Sequence, residues 1–197
     1  ATELEVLDGE HEAILTFLAV RRWYGWSSGR LLVADIGGGS LELAQGTSEY
    51  PDQATSLPLG SGRLTRQFFT SDPPSQEEIA QLRKYVREQL KQHIKPFLAG
   101  SQPDHVVATS KTFKQLARIA GAAPSSKGPR ARRELSASDL YTWVGKLATM
   151  SAKERAKLPG VSQGRSEQIL AGAIVAQETM DLMNIRVFEI CPWALRE

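Results

Sequence analysis

Two carboxylates flank a run of three glycines in the stretch Asp35-Ile36-Gly37-Gly38-Gly39-Ser40-Leu41-Glu42. Glycine allows the backbone to approach a ligand closely. Consecutive N–H groups in such a turn form a concave nest for an anion, and Ser40 adds a hydroxyl donor. Asp35 and Glu42 sit at the two ends of the turn. They suit a hard cation such as Mg²⁺, which one or two carboxylates hold while water and phosphate oxygens complete its shell. The plainer alternative is a glycine-rich hairpin carrying a solvated Asp. A second stretch, Thr109-Ser110-Lys111-Thr112, offers hydroxyls and a cation; as a bare pattern it is equally a helix N-cap. Arg63 and Arg66 follow Gly60-Ser61-Gly62 and either clamp an anion or cover a solvated helix face. Lys127, Arg130, Arg132 and Arg133 share one loop, where they steer a polyanion by charge or belong to an ordinary flexible loop. Glu12 falls in the first turn of a helix, where carboxylates gather for the helix dipole alone.

The elements that must position these groups follow from hydrophobic spacing. A first strand is expected at residues 4–7, then a helix over 9–24 with Ala13, Phe17 and Val20 on one face. The apolar run 30–35 and the segment 40–46 read as strands joined by the glycine turn, and 54–59 as a third. A short helix is expected at 62–69. A long one starts at Ser75, keeps Ile79, Leu82, Val86, Leu90 and Ile94 in register, and stops at Pro96. Residues 105–108 form a strand leading into a helix over 111–120. A basic, proline-containing loop spans 122–134. Helices follow at about 136–150 and 151–158. The stretch 165–183 places Ile169, Ala173, Ala176, Met180 and Met183 on one stripe, and 186–191 is a last strand. Trp23, Trp26, Trp143 and Trp193 read as core or interface aromatics, and His93 and His105 as structural or exposed. The alternation of strands and helices makes this an α/β chain.

Composition narrows the function classes. The chain has 197 residues, 41% hydrophobic, with mean hydropathy −0.29, which is enough apolar material for a large core. No apolar run approaches the ~20 residues of a membrane helix. One cysteine, Cys191, excludes an internal disulfide framework, and three histidines leave little for a zinc site. A reduced, cytoplasmic setting is expected. With 24 basic and 22 acidic residues the charge is nearly balanced, so no global field draws nucleic acid, and neither nucleic acid nor membrane is an expected partner.

The segment DIGGGSLEL resembles the phosphate-binding hairpin of the exopolyphosphatase/guanosine pentaphosphate phosphohydrolase (Ppx/GppA) family, within the actin–sugar kinase–Hsp70 superfamily. Four further segments agree in order: residues 7–13 (LDGEHEA), 56–66 (SLPLGSGRLTR), 108–116 (ATSKTFKQL) and 190–196 (ICPWALR). The likeness covers essentially the whole chain and points to the shorter, two-domain members found in actinobacteria. It implies a ribonuclease-H-like domain of the actin-like ATPase superfamily, with a mixed sheet flanked by helices. Residues 1–197 would be the second, C-terminal domain of a two-domain phosphatase whose first domain lies outside this chain.

The family pattern Ser-Gly-x-Glu-Glu-Ala places its proposed catalytic base at Glu12, with His11 where the first Glu often stands. The same likeness places Gly37, Gly38, Gly39 and Ser40 against phosphate. It assigns Asp35 and Glu42 to the phosphate-bound metal, Mg²⁺. Ser110 and Lys111 belong to a second phosphate loop, in which Lys111 replaces a glycine. Arg63, Lys127, Arg130, Arg132 and Arg133 are lesser candidates for polyanion contact. The implied reaction is release of terminal phosphate from inorganic polyphosphate or guanosine pentaphosphate. The expected partners are that substrate, the preceding domain and, as a further option, a second copy of the chain. Two alternatives remain at this stage: a kinase-like ATP-binding half of the same superfamily, and a polyphosphate or nucleotide sensor without turnover.

Overall fold

Asp8 opens the first helix by accepting the backbone N–H of His11 at 2.9 Å, and α1 runs over Gly9–Tyr24. The structure, a computed structural model, describes residues 8–195; the strand expected at 4–7 lies outside them. After α1 come β1 (Leu31–Ile36), β2 (Leu41–Gly46) and β3 (Gln53–Leu57), then α2 (Ser61–Phe68). Next are α3 (Gln76–His93), α4 (Lys95–Leu98), β4 (His105–Thr109) and α5 (Ser110–Ile119). The chain continues through β5 (Glu134–Ser136), α6 (Ala137–Thr149), α7 (Ala152–Arg155), α8 (Ile169–Leu182) and β6 (Val187–Ile190).

The strands form one sheet in the order β3-β2-β1-β4-β6-β5. β1, β4 and β6 are parallel, while β2, β3 and β5 run antiparallel to their neighbours. This is the mixed, helix-flanked sheet that the sequence led us to expect. Strand alternation decides what faces what. Leu32, Ala34 and Ile36 enter the larger core with Val86, Phe113 and Ile174. Leu31 and Val33 enter a smaller core with Phe17 and Val20 of α1. Asp35 continues the second set, so it emerges on the α1 side of the sheet.

The long helix stops at His93, ahead of Pro96 as expected, and Pro96 then sits in the first turn of the separate α4, a position that needs no backbone N–H. Two local expectations are corrected. Residues 134–136 are an edge strand rather than loop, because Leu135 pairs with Phe188 of β6. Residues 165–168 precede α8, Arg165 closing a 3₁₀ turn (Gln163–Arg165). The helix itself has no single apolar stripe: every residue from Ile169 to Met180 is buried. A helix buried all round lies inside the domain rather than on it, and α8 is enclosed by α2, α3, α5 and α6. Its one buried acid, Glu178, is satisfied by Arg83 at 2.7 Å and by Arg87, both from α3.

Candidate phosphate site

The turn between β1 and β2 is closed by the Gly37 N–H, which donates to the Ser40 carbonyl at 2.9 Å. The carbonyls of its three glycines are turned to the start of α2. The Gly37 oxygen accepts from the Ser61 N–H at 3.0 Å and from its hydroxyl at 3.1 Å. The Gly38 oxygen accepts from the Arg63 N–H at 2.9 Å, and the Gly39 oxygen from Arg63 Nε at 3.0 Å. Among the described residues, nothing accepts from the N–H groups of Gly38, Gly39 and Ser40. A Cβ added at Gly38 or Gly39 would meet no atom within 4 Å. Carbonyls tied inward and adjacent donors left open are the arrangement of an anion nest.

Gly60 makes this packing feasible. A Cβ there would lie 2.2 Å from the Gly39 carbonyl carbon and the Ser40 nitrogen. Backbone cannot yield cheaply at such a distance, so Gly60→Ala should push the hairpin off α2. We expect a loss of about 1–3 kcal/mol in stability, the usual cost of overpacking, together with weaker inorganic phosphate binding. Thermal melting with and without phosphate checks both.

Beside the nest, Asp35 of β1 is the register partner of Glu42 on β2 and of Thr109 on β4. Asp35 is half-buried and Glu42 is buried. Burial first, and then the neighbouring Glu42 charge, push the Asp35 carboxyl up to about 7; Lys114 opposes this, Glu12 adds to it and Arg165 opposes it. Burial likewise raises Glu42, against hydrogen bonds from Ser40 and Ser56 that lower it, with Glu12 again raising it. The Ser56 hydroxyl donates to Glu42 Oε1 at 3.1 Å. Glu12 reaches this group because α1 presses closely on β3: a Cβ on Gly9 would stand 2.4 Å from Ser56 Oγ. Glu12, Asp35 and Glu42 therefore share one side of the sheet, and among the described residues none is in an ion pair.

Among the described residues, no three His, Cys, Asp or Glu side chains form a cage for a metal ion. Asp35 and Glu42 instead offer two partly desolvated carboxylates whose mutual repulsion a cation would relieve. That fits Mg²⁺, which keeps water and phosphate in most of its positions.

At the end of β4 the Thr109 hydroxyl is spent on the Trp193 carbonyl at 2.7 Å. Ser110 opens α5 with φ +82°, a conformation costly for a residue with a Cβ. Its hydroxyl accepts the Phe113 N–H at 3.4 Å. Lys111 is exposed, and Lys114 Nζ donates to the Pro192 carbonyl at 2.7 Å. Of the loop cations, Arg133 is engaged with the carbonyls of Ala123, Pro124, Gly128 and Ala131. Arg132 is engaged with Glu134, while Lys127 and Arg130 are exposed. Sequence reasoning missed Gly60, Lys114 and Arg165. Lys114 carried a usable signal, since it lies one helical turn after Ser110. Arg165 had none.

The model of the Ppx/GppA phosphatase family matches residues 1–197. Exopolyphosphatase 1 of Mycobacterium tuberculosis (strain ATCC 25618 / H37Rv) is 53% identical over 195 residues, which are 99% of this chain and 57% of that protein. Exopolyphosphatase 2 of the same strain is 31% identical over 176 residues, 88% of this chain and 54% of the relative. A solved Ppx/GppA phosphatase of Aquifex aeolicus superposes with TM-score 0.82 at 26% identity, covering 98% of this chain and 62% of that one. The chain thus spans little more than half the length of the curated relatives it matches.

Proposed function

The chain belongs to the Ppx/GppA phosphatase family, and from that premise we propose that it is the second domain of a two-domain phosphohydrolase. The enzyme removes the terminal phosphate of inorganic polyphosphate or of guanosine pentaphosphate in a cytoplasmic setting. The observation that carries this reading is the row of open N–H donors at Gly38–Ser40 set beside Asp35, Glu42 and Glu12. The names of the mycobacterial relatives, both exopolyphosphatases, support the substrate class.

In this reading the backbone donors of Gly38, Gly39 and Ser40 hold the terminal phosphoryl oxygens. They are already aligned by α2, so little reorganisation is needed as charge shifts in the transition state. Glu12 orients a water and accepts its proton as the water oxygen bonds to phosphorus. The bond from phosphorus to the bridging oxygen breaks, and the shortened chain leaves with that electron pair. Asp35 and Glu42 would hold Mg²⁺, whose chemistry there is neutralisation of the phosphoryl charge. Phosphoryl transfer rests mainly on positioning and electrostatics, so few reactive side chains are needed.

The first domain, supplying the other wall of the cleft, excludes water and fixes the substrate's orientation. We therefore expect the 197-residue chain to unfold cooperatively yet release phosphate only near background. Turnover by this chain comparable to that of the two-domain protein would defeat the two-domain reading of the site.

A further inference from the structure

We propose that the cleft between α5 and the loop 122–133 receives the phosphates that trail behind the one being cleaved. The inference rests on the phosphohydrolase reading above and extends it to the leaving side of the substrate.

The cleft has a volume of about 470 Å³ and is lined by Lys111, Lys114, Arg118 and Arg133 with no Asp or Glu among its walls. The chain as a whole carries 22 acids against 24 bases. Four cations and no carboxylate around one hollow are therefore a local selection for an anion. It lies outside the carboxyl ends of β4 and β6, with Ile190 and Pro192 in its wall. Crevices at that end of parallel strands are where open α/β sheets bind ligands.

The four cations do different things. Arg133 spends its donors on loop carbonyls and so builds the wall. Arg118 gives only Nη1 to the Ala122 carbonyl, leaving the rest of its fork available. Lys111 makes no hydrogen bond or ion pair among the described residues. Lys114 gives one of its three protons to Pro192, and its charge is also felt at Asp35. Lys114 thus belongs both to the cleft and to the surroundings of the acid pair. Lys114, felt at Asp35 beside the glycine turn, thus links the terminal-phosphate site to a cleft whose other available cations are Lys111 and Arg118. Exposed Lys127 and Arg130 do not line this cleft. The shared chemistry is a row of phosphoanhydride-linked phosphates, whether inorganic or carried by a nucleoside.

The test compares the two-domain protein with its Lys111→Gln/Arg118→Gln variant on tripolyphosphate, long-chain polyphosphate and guanosine pentaphosphate. We expect KM for the long chain to rise about tenfold, the scale of one lost hydrogen bond between charged groups, with KM for tripolyphosphate rising clearly less. A comparable loss for guanosine pentaphosphate but not for long chains would assign the cleft to a nucleotide's phosphates and still support it. Equal losses for short and long substrates, or a length effect seen only in Lys127→Gln/Arg130→Gln, would overturn it. Should the double variant misfold, Lys111→Glu at an exposed position replaces it, with the same expected contrast. If the unaltered protein releases no phosphate, the phosphohydrolase reading itself fails. The cleft is then judged by equilibrium binding of the same chains, and equal affinities for wild type and variant would reject it.

Discussion

Glu12→Gln is expected to slow turnover of the two-domain protein at least about a hundredfold while leaving KM within a few-fold, because a positioned general base contributes roughly 10²–10⁴ in rate. Gln keeps the size of Glu and can still hold a water, but it cannot take the proton. The substitution also removes a negative charge that raises both Asp35 and Glu42, so both carboxyls should ionise more readily in the variant. Steady-state phosphate release at saturating polyphosphate reads the effect. A variant with most of the wild-type kcat would show that another group accepts the proton.

Asp35→Asn should separate stability from activity. Free in water, the carboxyl ionises near 3.8, and in the fold near 7. Well below 3.8 it is neutral in both states and costs the fold nothing. Between those two values the unfolded chain has released the proton and the folded chain has kept it, so stability falls as pH rises. Above 7 the full penalty is present. Three units at about 1.4 kcal/mol each, shared in part with Glu42, give about 2–4 kcal/mol. The Asn variant should therefore melt several degrees higher than wild type at pH 8 and at nearly the same temperature at about pH 3, below the free value of 3.8, while losing activity. Added Mg²⁺ should stabilise the wild type at pH 8 and have much less effect on the variant. A wild type no less stable at pH 8 than the variant would remove Asp35 from a charge-strained site.

The parts of this molecule legible in the sequence are those whose causes are local. The Ser75 and Glu78 pair marks the start of α3 because each side chain caps the other's backbone. The run into Asp35 marks β1, and three glycines between two acids mark the turn. What escaped has its cause elsewhere in the chain. Three residues cannot announce β5, which exists because β6 offers a free edge. Gly60 closes a strand in the sequence, but its necessity comes from a backbone 21 positions earlier, at Gly39. Arg165 stands in a polar loop, and only the tertiary fold brings its charge near Asp35. The single stripe read along α8 was too narrow because Ala171, Gly172 and Val175 are buried by other helices.

Helix α8 also anchors the glycine turn. Its residues from Ile169 to Met180 lie away from water, so its amides are expected to exchange for deuterium only when the whole domain opens, not by local fraying. Gln168, the residue just before α8, accepts the Ser61 hydroxyl at 3.0 Å, and Ser61 holds Gly37. Within α8, Gly172 has no room for a Cβ, since one would lie 2.5 Å from a Thr112 methyl and 3.3 Å from Ser61 Cβ. The glycine turn is thus moored to the most deeply buried helix of the domain. Protection of the Gly37 and Ser61 amides against deuterium should accordingly follow that of α8 rather than that of the more exposed segment 125–132.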